Sequence, residues 1–196
     1  MEKGEGKIET SVSHLAPGEG SKLLRVFGEL VAYKITSDRT GGAYSLFEVV
    51  TGPGSGPPPH VQHREDEPFY VLKGEYEFLV EDRTVEAGAG SLIYVPKGHL
   101  HAYINVGEGT ARMMVSQTPG GLHERFFEEI GVPATDEPRR PGFAGLQDMR
   151  KIVAIAAEYG IEMPAPPGGE GEMRASSRPP SKPREGRDEK ENESAR

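Results

Sequence analysis

The chain has 196 residues, 35% of them apolar, with 26 Gly, 17 Pro, no Cys and a formal charge of −8. That length suits one domain with a sizeable core and some appendages, and the Gly and Pro content points to many short strands and turns. The missing cysteines exclude disulfides and thiolate ligands, and the net-acidic body argues against nucleic acid as a partner, since phosphate binding needs a basic surface.

Residues 1–20 are polar and Gly-rich and read as an N-terminal arm, with an edge strand around Ile8 to Val12. The arm has no apolar stretch of the kind a signal peptide uses, and no window of the chain approaches a membrane span. A soluble, cytoplasmic protein without membrane partners is the expectation. From residue 21 to 118 strand-like runs follow at close intervals: 22–35, 43–51, 68–72, 75–81, 91–95, 100–106 and 111–118. Gly- and Pro-bearing turns separate them, a pattern that favours a barrel or sandwich. In the run at 75–81, Tyr76, Phe78 and Val80 share one face while Glu75, Glu77 and Glu81 share the other, which reads as core against solvent. In the run at 100–106, His101, Tyr103 and Asn105 share a face.

After Pro119 the period changes. Leu122, Phe126, Phe127 and Ile130 fall on one side of a short helix, and Leu146, Met149, Val153, Ala156 and Ala157 do the same in a second. Residues 119–163 thus form a C-terminal helical segment that packs outside the barrel, closing an end of it or building a dimer contact. A lone barrel also leaves sheet edges to cover, so a homodimer is expected, paired through the arm or through Phe126 and Phe127. Residues 164–196 carry seven basic and seven acidic side chains with little to bury, and read as a disordered tail. The whole −8 therefore belongs to residues 1–163.

The chemistry concentrates in two segments, 54–74 and 90–105. His60 and Gln62 lie two apart and share a strand face; Glu67 follows a charged bend; His101 follows a Pro-Lys-Gly turn. Two imidazoles, a carboxylate and an amide are donors suited to one cation of the Mn, Fe, Co, Ni or Zn type. The plain alternatives are a turn histidine at 60 and a solvated charge run around Glu67, which otherwise acts as ligand or general base. Four outcomes compete at Gln62: it ligates, it orients a water on a three-ligand metal, the site is empty, or His63 substitutes after a bulge re-aims it. His99 reads as a rim residue, and His14 and His123 as exposed. Phe47, Phe69, Phe78 and Tyr103 are candidates for the wall of a small-molecule pocket, or else plain core.

The two segments resemble the paired motifs of the cupin superfamily. Gly54, His60, Glu67 and Gly74 fit the first motif, G-x5-H-x-H-x3,4-E-x6-G, with Gln62 where the second His belongs. Gly90, Pro96, Gly98, His101 and Asn105 fit the second, G-x5-P-x-G-x2-H-x3-N. The resemblance covers about half the chain. It implies an all-β fold with C-terminal helices, namely a cupin-type double-stranded β-helix or jelly-roll barrel, with the metal site inside. The stretch from Pro57 to Phe78 is similar to single-domain bacterial quercetin-dioxygenase-like cupins. That implies a metal-dependent oxygenase acting on an aromatic or enolisable small molecule, with His60, Gln62, Glu67 and His101 around the metal. The rivals are a non-enzymatic binding barrel and a metal-dependent isomerase or epimerase, which tolerates an amide ligand better.

Overall fold

The computed structural model describes residues 12–16, 18–134 and 149–164. The expected N-terminal edge strand, Leu146 and the C-terminal tail lie outside the described residues, the strand but for Val12 and the tail but for Pro164. Within them the chain forms two antiparallel sheets. The strands are β1 Leu23–Val26, β2 Glu29–Ile35, β3 Ser45–Thr51, β4 His60–Gln62, β5 Glu67–Lys73, β6 Glu75–Val80, β7 Arg83–Gly88, β8 Leu92–Val95, β9 Leu100–Asn105, β10 Ala111–Gln117, β11 Val132–Pro133 and β12 Ile161–Glu162. Three helices accompany them: α1 Ser37–Thr40, α2 Leu122–Ile130 and α3 Met149–Glu158. The larger sheet runs β11-β1-β2-β3-β10-β5-β8 and the smaller β12-β4-β9-β6-β7. None of the helices is long and apolar enough to cross a membrane.

The inner faces of the sheets meet in a core that includes Phe47, Val49, Phe69, Val71, Tyr76, Phe78, Tyr103, Met113 and Val115. Strict alternation builds it. On β3 the residues Ser45, Phe47, Val49 and Thr51 are buried and the intervening ones less so, and on β6 Tyr76 and Phe78 are buried while Glu75 and Glu77 face water.

A hairpin, one strand and two helices differ from expectation. The run at 22–35 is a hairpin, turning at Phe27 and Gly28, both with positive φ, so that Val26 faces Glu29. Two left-handed residues in succession suit the tight turn between twisted strands. The apolar pattern runs straight through this turn and conceals it. Strand β7 carries little apolar signal, because four of its six residues are exposed, yet it pairs with β6 from end to end. On both longer helices the buried stripe is displaced. Helix α2 buries His123, Phe126 and Ile130 rather than Leu122, and α3 buries Ile152, Ile155 and Ala156 while Val153 and Ala157 are exposed.

These shifts change what the helices do. Phe126 and Phe127, considered above as a contact for a second copy, turn inward, and the Phe127 ring meets Phe47 at 5.5 Å. Glu124 ties α2 down, accepting a hydrogen bond from Ser37 Oγ at 3.1 Å while its carbonyl accepts one from the Tyr33 hydroxyl. After α3 the chain joins the smaller sheet, where Ile161 pairs with Gln62.

One glycine is fixed by crowding. The loop between β3 and β4 lies on β9, with Gly54 N–H donating to Asn105 O and Asn105 N–H to Ser55 O, both at 2.9 Å. A Cβ on Gly56 would sit 1.8 Å from the Tyr103 carbonyl oxygen. That oxygen belongs to a paired strand and cannot yield cheaply. Gly56→Ala should therefore destabilise the protein by about 3 kcal/mol. Gly109→Ala, where a Cβ meets nothing within 4 Å, should cost under about 1 kcal/mol. Urea denaturation of the two variants checks the contrast.

Candidate metal centre and its cavity

Strands β4 and β9 are neighbours, and their register sets His60 directly opposite His101. Both side chains point inward, with ring centroids 4.3 Å apart. Glu67 opens β5 in the other sheet, so its carboxylate reaches the same point from across the barrel. Glu67 Oε2 lies 2.8 Å from His101 Nε2 and 3.9 Å from His60 Nε2, and one ligand atom from each residue falls within 4.8 Å of the others. All three residues are buried.

The backbone fixes which ring nitrogen each imidazole presents. His60 Nδ1 is 3.1 Å from the Pro58 carbonyl, and His101 Nδ1 is 3.1 Å from that of His99. A carbonyl only accepts, so each Nδ1 carries the proton and each Nε2 of a neutral ring offers a lone pair to the interior. Three lone-pair atoms then face one another in a dry space. Glu67 Oε2 and His101 Nε2 are close but not aligned as a hydrogen bond, and both are without a hydrogen-bond partner. Such a cluster calls for a positive charge at its centre, either a proton or a cation. The donor set of two imidazoles and one carboxylate fits a divalent transition metal.

The ionisation of these groups agrees. Burial pushes His60 down to about 3, helped by His101 and opposed by Glu67, so its ring is neutral. Burial works upward on the Glu67 carboxyl, but contact with His101 and the nearby imidazoles of His123 and His60 outweighs it and holds it at about 2. Burial lowers His101, yet its contact with Glu67 prevails and the net shift is upward. The other Glu67 oxygen accepts a hydrogen bond from Gln117 Nε2 at 2.9 Å.

Gln62 is buried and shares the inner face with His60. Its amide is 2.8 Å from His123 Nδ1 on α2. His123 is therefore a buried residue beside the site, not the exposed histidine expected from sequence. Glu65 is also buried, at 1% exposure, where a solvated charge run was the plain alternative around Glu67. Its Oε1 accepts the N–H groups of Leu122 and His123, capping the start of α2, and its Oε2 lies 3.4 Å from His123 Nδ1. His63 does turn to the other face, where it pairs with Glu162 at 2.8 Å. His99 and His14 are exposed.

A cavity of about 40 Å³ adjoins two of the three, His60 and Glu67. Its lining includes His60, Glu67, Gln117, His123, Phe47, Phe69 and Tyr103. Phe78 does not reach it. That ring stands behind the wall, 5.3 Å from Phe69 and 5.5 Å from Tyr103, and serves the core. Residues from α2 and β12 complete the lining, among them Phe126, Phe127 and Ile161.

Some of these neighbours left a trace in the sequence. Gln117 continues the inward series Ala111, Met113 and Val115 on β10. His123 shares a helix face with Phe126 and Ile130, and Glu65 is two residues from Glu67. Glu29 left none. It follows the β1–β2 turn on a strand buried on both faces, and it lines the cavity at 3% exposure. Burial pushes its carboxyl up to about 7, against hydrogen bonds from Thr51 and Tyr103.

This raised value has a consequence for stability. Between the ordinary carboxyl value of 4.5 and about 7, the folded protein keeps a proton that the unfolded chain has released. The contribution is therefore full below the lower value and is lost as pH rises through the upper one. Its upper bound is about 3 kcal/mol. Urea denaturation of wild type and Glu29→Gln should show the wild type losing about 1–3 kcal/mol relative to the variant between those limits. A difference that does not change with pH would contradict a neutral, buried Glu29.

Residues 47–116 match the cupin domain family. No curated protein matches the chain. Among solved structures, the polyketide cyclase RemF from Streptomyces resistomycificus aligns at 23% identity and a TM-score of 0.50, over 55% of this chain and 80% of its own. A predicted oxalate decarboxylase from Thermotoga maritima aligns at 20% identity and a TM-score of 0.48, over 50% of this chain and 92% of its own. At these identities the likeness is one of fold. The domain match and the two antiparallel sheets support the cupin superfamily, and the architecture is the cupin double-stranded β-helix with C-terminal helices.

Proposed function

We propose that this chain is a metal-dependent enzyme of the dioxygenase-like cupin kind, acting on a small aromatic or enolisable molecule within the barrel. One observation carries the reading: Glu67 Oε2 and His101 Nε2 are buried, unsatisfied and convergent with His60 beside a cavity. His60, Glu67 and His101 would hold a divalent cation of the Fe, Mn, Co, Ni or Zn type, with Gln62 at the fourth corner. Such a cation, when bound, makes the oxygen of a substrate more acidic and offers it an open coordination position.

The residues around it have separable tasks. Gln117 orients the Glu67 carboxylate through its second oxygen. Phe47 and Phe69 give the substrate an apolar bed and keep water out. His123 lines the wall with Nδ1 accepting from the Gln62 amide, so Nε2 carries the proton and can donate a hydrogen bond to a substrate oxygen. The cavity volume favours a small enolisable substrate over an aromatic one, since it holds only about three waters. A homodimer is part of the reading, on the strength of sheet edges such as β7 and β8 that have a strand on one side only among the described residues.

A metal-dependent isomerase or epimerase is the second reading. What favours it is the donor set: His60 and His101 are the two imidazoles of the centre, and Gln62, whose amide lies 2.8 Å from His123 Nδ1, adds no third. Proton transfer needs only a Lewis acid and a base, whereas a redox cycle gains from electron-rich ligands.

Calorimetric titration with Ni or Zn tests the centre. The wild type should bind, and Glu67→Gln or His101→Ala should weaken binding by at least about 10–100-fold, the range seen even for outer partners. Gln62→His should tighten it by about tenfold or more by supplying the missing imidazole. Negligible binding in wild type and Gln62→His alike would sink the metalloenzyme reading and leave the binding barrel. Equal, tight binding in both would make Gln62 a bystander.

A further inference from the structure

The Glu29 carboxyl takes no part in the metal centre, yet it borders the same cavity. Its partners are hydroxyls. Thr51 Oγ1 donates to Oε1 at 2.7 Å and the Tyr103 hydroxyl to Oε2 at 3.0 Å, while the Tyr76 hydroxyl donates to Thr51 Oγ1 at 3.1 Å. A hydroxyl has one proton to give. Tyr76 gives its proton to Thr51, and Thr51 and Tyr103 give theirs to Glu29. If Glu29 is itself protonated, this set of four groups holds one donor too many. The surplus O–H belongs to Glu29, or to Tyr103 if Glu29 donates to it, and both residues line the cavity. If Glu29 is ionised, its remaining lone pairs ask for a further donor instead. Each Glu29 oxygen has one partner as it stands, and in either state this end of the cavity keeps capacity for one more oxygen, to accept the surplus O–H or to donate to the carboxylate.

The walls on the way to it are apolar: Phe47, Val49, Phe69 and Val115. The free volume of about 40 Å³ equals roughly three waters, which corresponds to about five non-hydrogen atoms of a ligand. We propose that Glu29 and Tyr103 form a binding subsite for the neutral oxygen end of a small alcohol, ketone or enol, whose carbon part lies against Phe47, Val49, Phe69 and Val115. The inference rests on the cavity being the substrate site, as proposed above, and does not require the metal.

The test uses metal-free protein and two probes of equal size, 1-propanol and 1-chloropropane, with dissociation constants read by NMR titration. The chloride is the more hydrophobic, so the telling quantity is how the ratio of the two constants changes between proteins. Replacing Glu29 by Leu should shift that ratio about tenfold against the alcohol, the loss of one buried hydrogen bond. Glu29→Gln can both donate and accept, and should keep the ratio within about threefold. A second readout needs no variant: with glutamate carboxyls labelled with carbon-13, the Glu29 resonance should move on adding 1-propanol and stay put with 1-chloropropane. An unchanged ratio in Glu29→Leu, a resonance indifferent to both probes, or no binding of either probe would each overturn the proposal. None of these results bears on the metal titration, so the two readings fail separately.

Discussion

A carboxylate and two imidazoles cannot sit with their lone pairs together in a dry interior unless something positive lies among them. The barrel is arranged to impose that condition. The β4–β9 register brings His60 and His101 face to face, and the Pro58 and His99 carbonyls hold both rings with Nε2 inward. Glu67 completes the arrangement from the opposite sheet, steadied by Gln117. A slip of one residue in either strand would reverse its faces and expel a ring from the interior. The register of the smaller sheet is therefore a condition of the site as well as of the core.

The helical segment belongs to the same design. Helix α2 starts with its N–H groups on Glu65, a carboxylate that the β4–β5 bend folds inward. That contact places His123 against Gln62 and turns Phe126 and Phe127 into the barrel. Strand β12 then returns to pair with β4, setting Ile161 opposite Gln62. The part of the chain beyond the barrel strands thus supplies a wall of the cavity, and Gln62 is where strand, helix and returning strand meet.

How much of this was legible in the sequence follows from the range of each signal. The convergence of His60, Glu67 and His101 is legible because short offsets on strands fix facing, and the Gly and Pro turns around them fix where the strands begin. Even the outward turn of His63 followed from its odd offset. The misses have other causes. Helical stripes were centred on the apolar residues, so Leu122 displaced His123 and Val153 displaced Ile152. A polar residue on the buried face is invisible to hydrophobicity until its partner is known. Glu65 was lost in a run of charges whose bend only the folded backbone reveals. Strand β7 offered too few apolar residues to count as a strand, because an edge strand needs few. Glu29 depends on Thr51 and Tyr103, which are 22 and 74 residues away, and no local pattern connects them.

The cavity shifts two buried glutamates in opposite directions, and the difference lies in their neighbours. Glu67 faces imidazoles, which stabilise the anion strongly enough to defeat burial and hold its carboxyl at about 2. Glu29 faces hydroxyls, whose hydrogen bonds offset burial only in part, leaving it at about 7. One carboxyl therefore stays charged and attracts a cation, while the other stays close to neutrality and exchanges a proton at modest cost. Environments that push like groups apart in this way are how one site comes to contain both a charged and a neutral acid. A molecule lying between Glu67 and Glu29 meets a strong field at one end and a hydrogen-bonding partner of adjustable charge at the other, with Phe47, Phe69 and Val115 between them. That asymmetry gives a bound molecule a preferred direction in the cavity, and symmetry of the barrel alone would not.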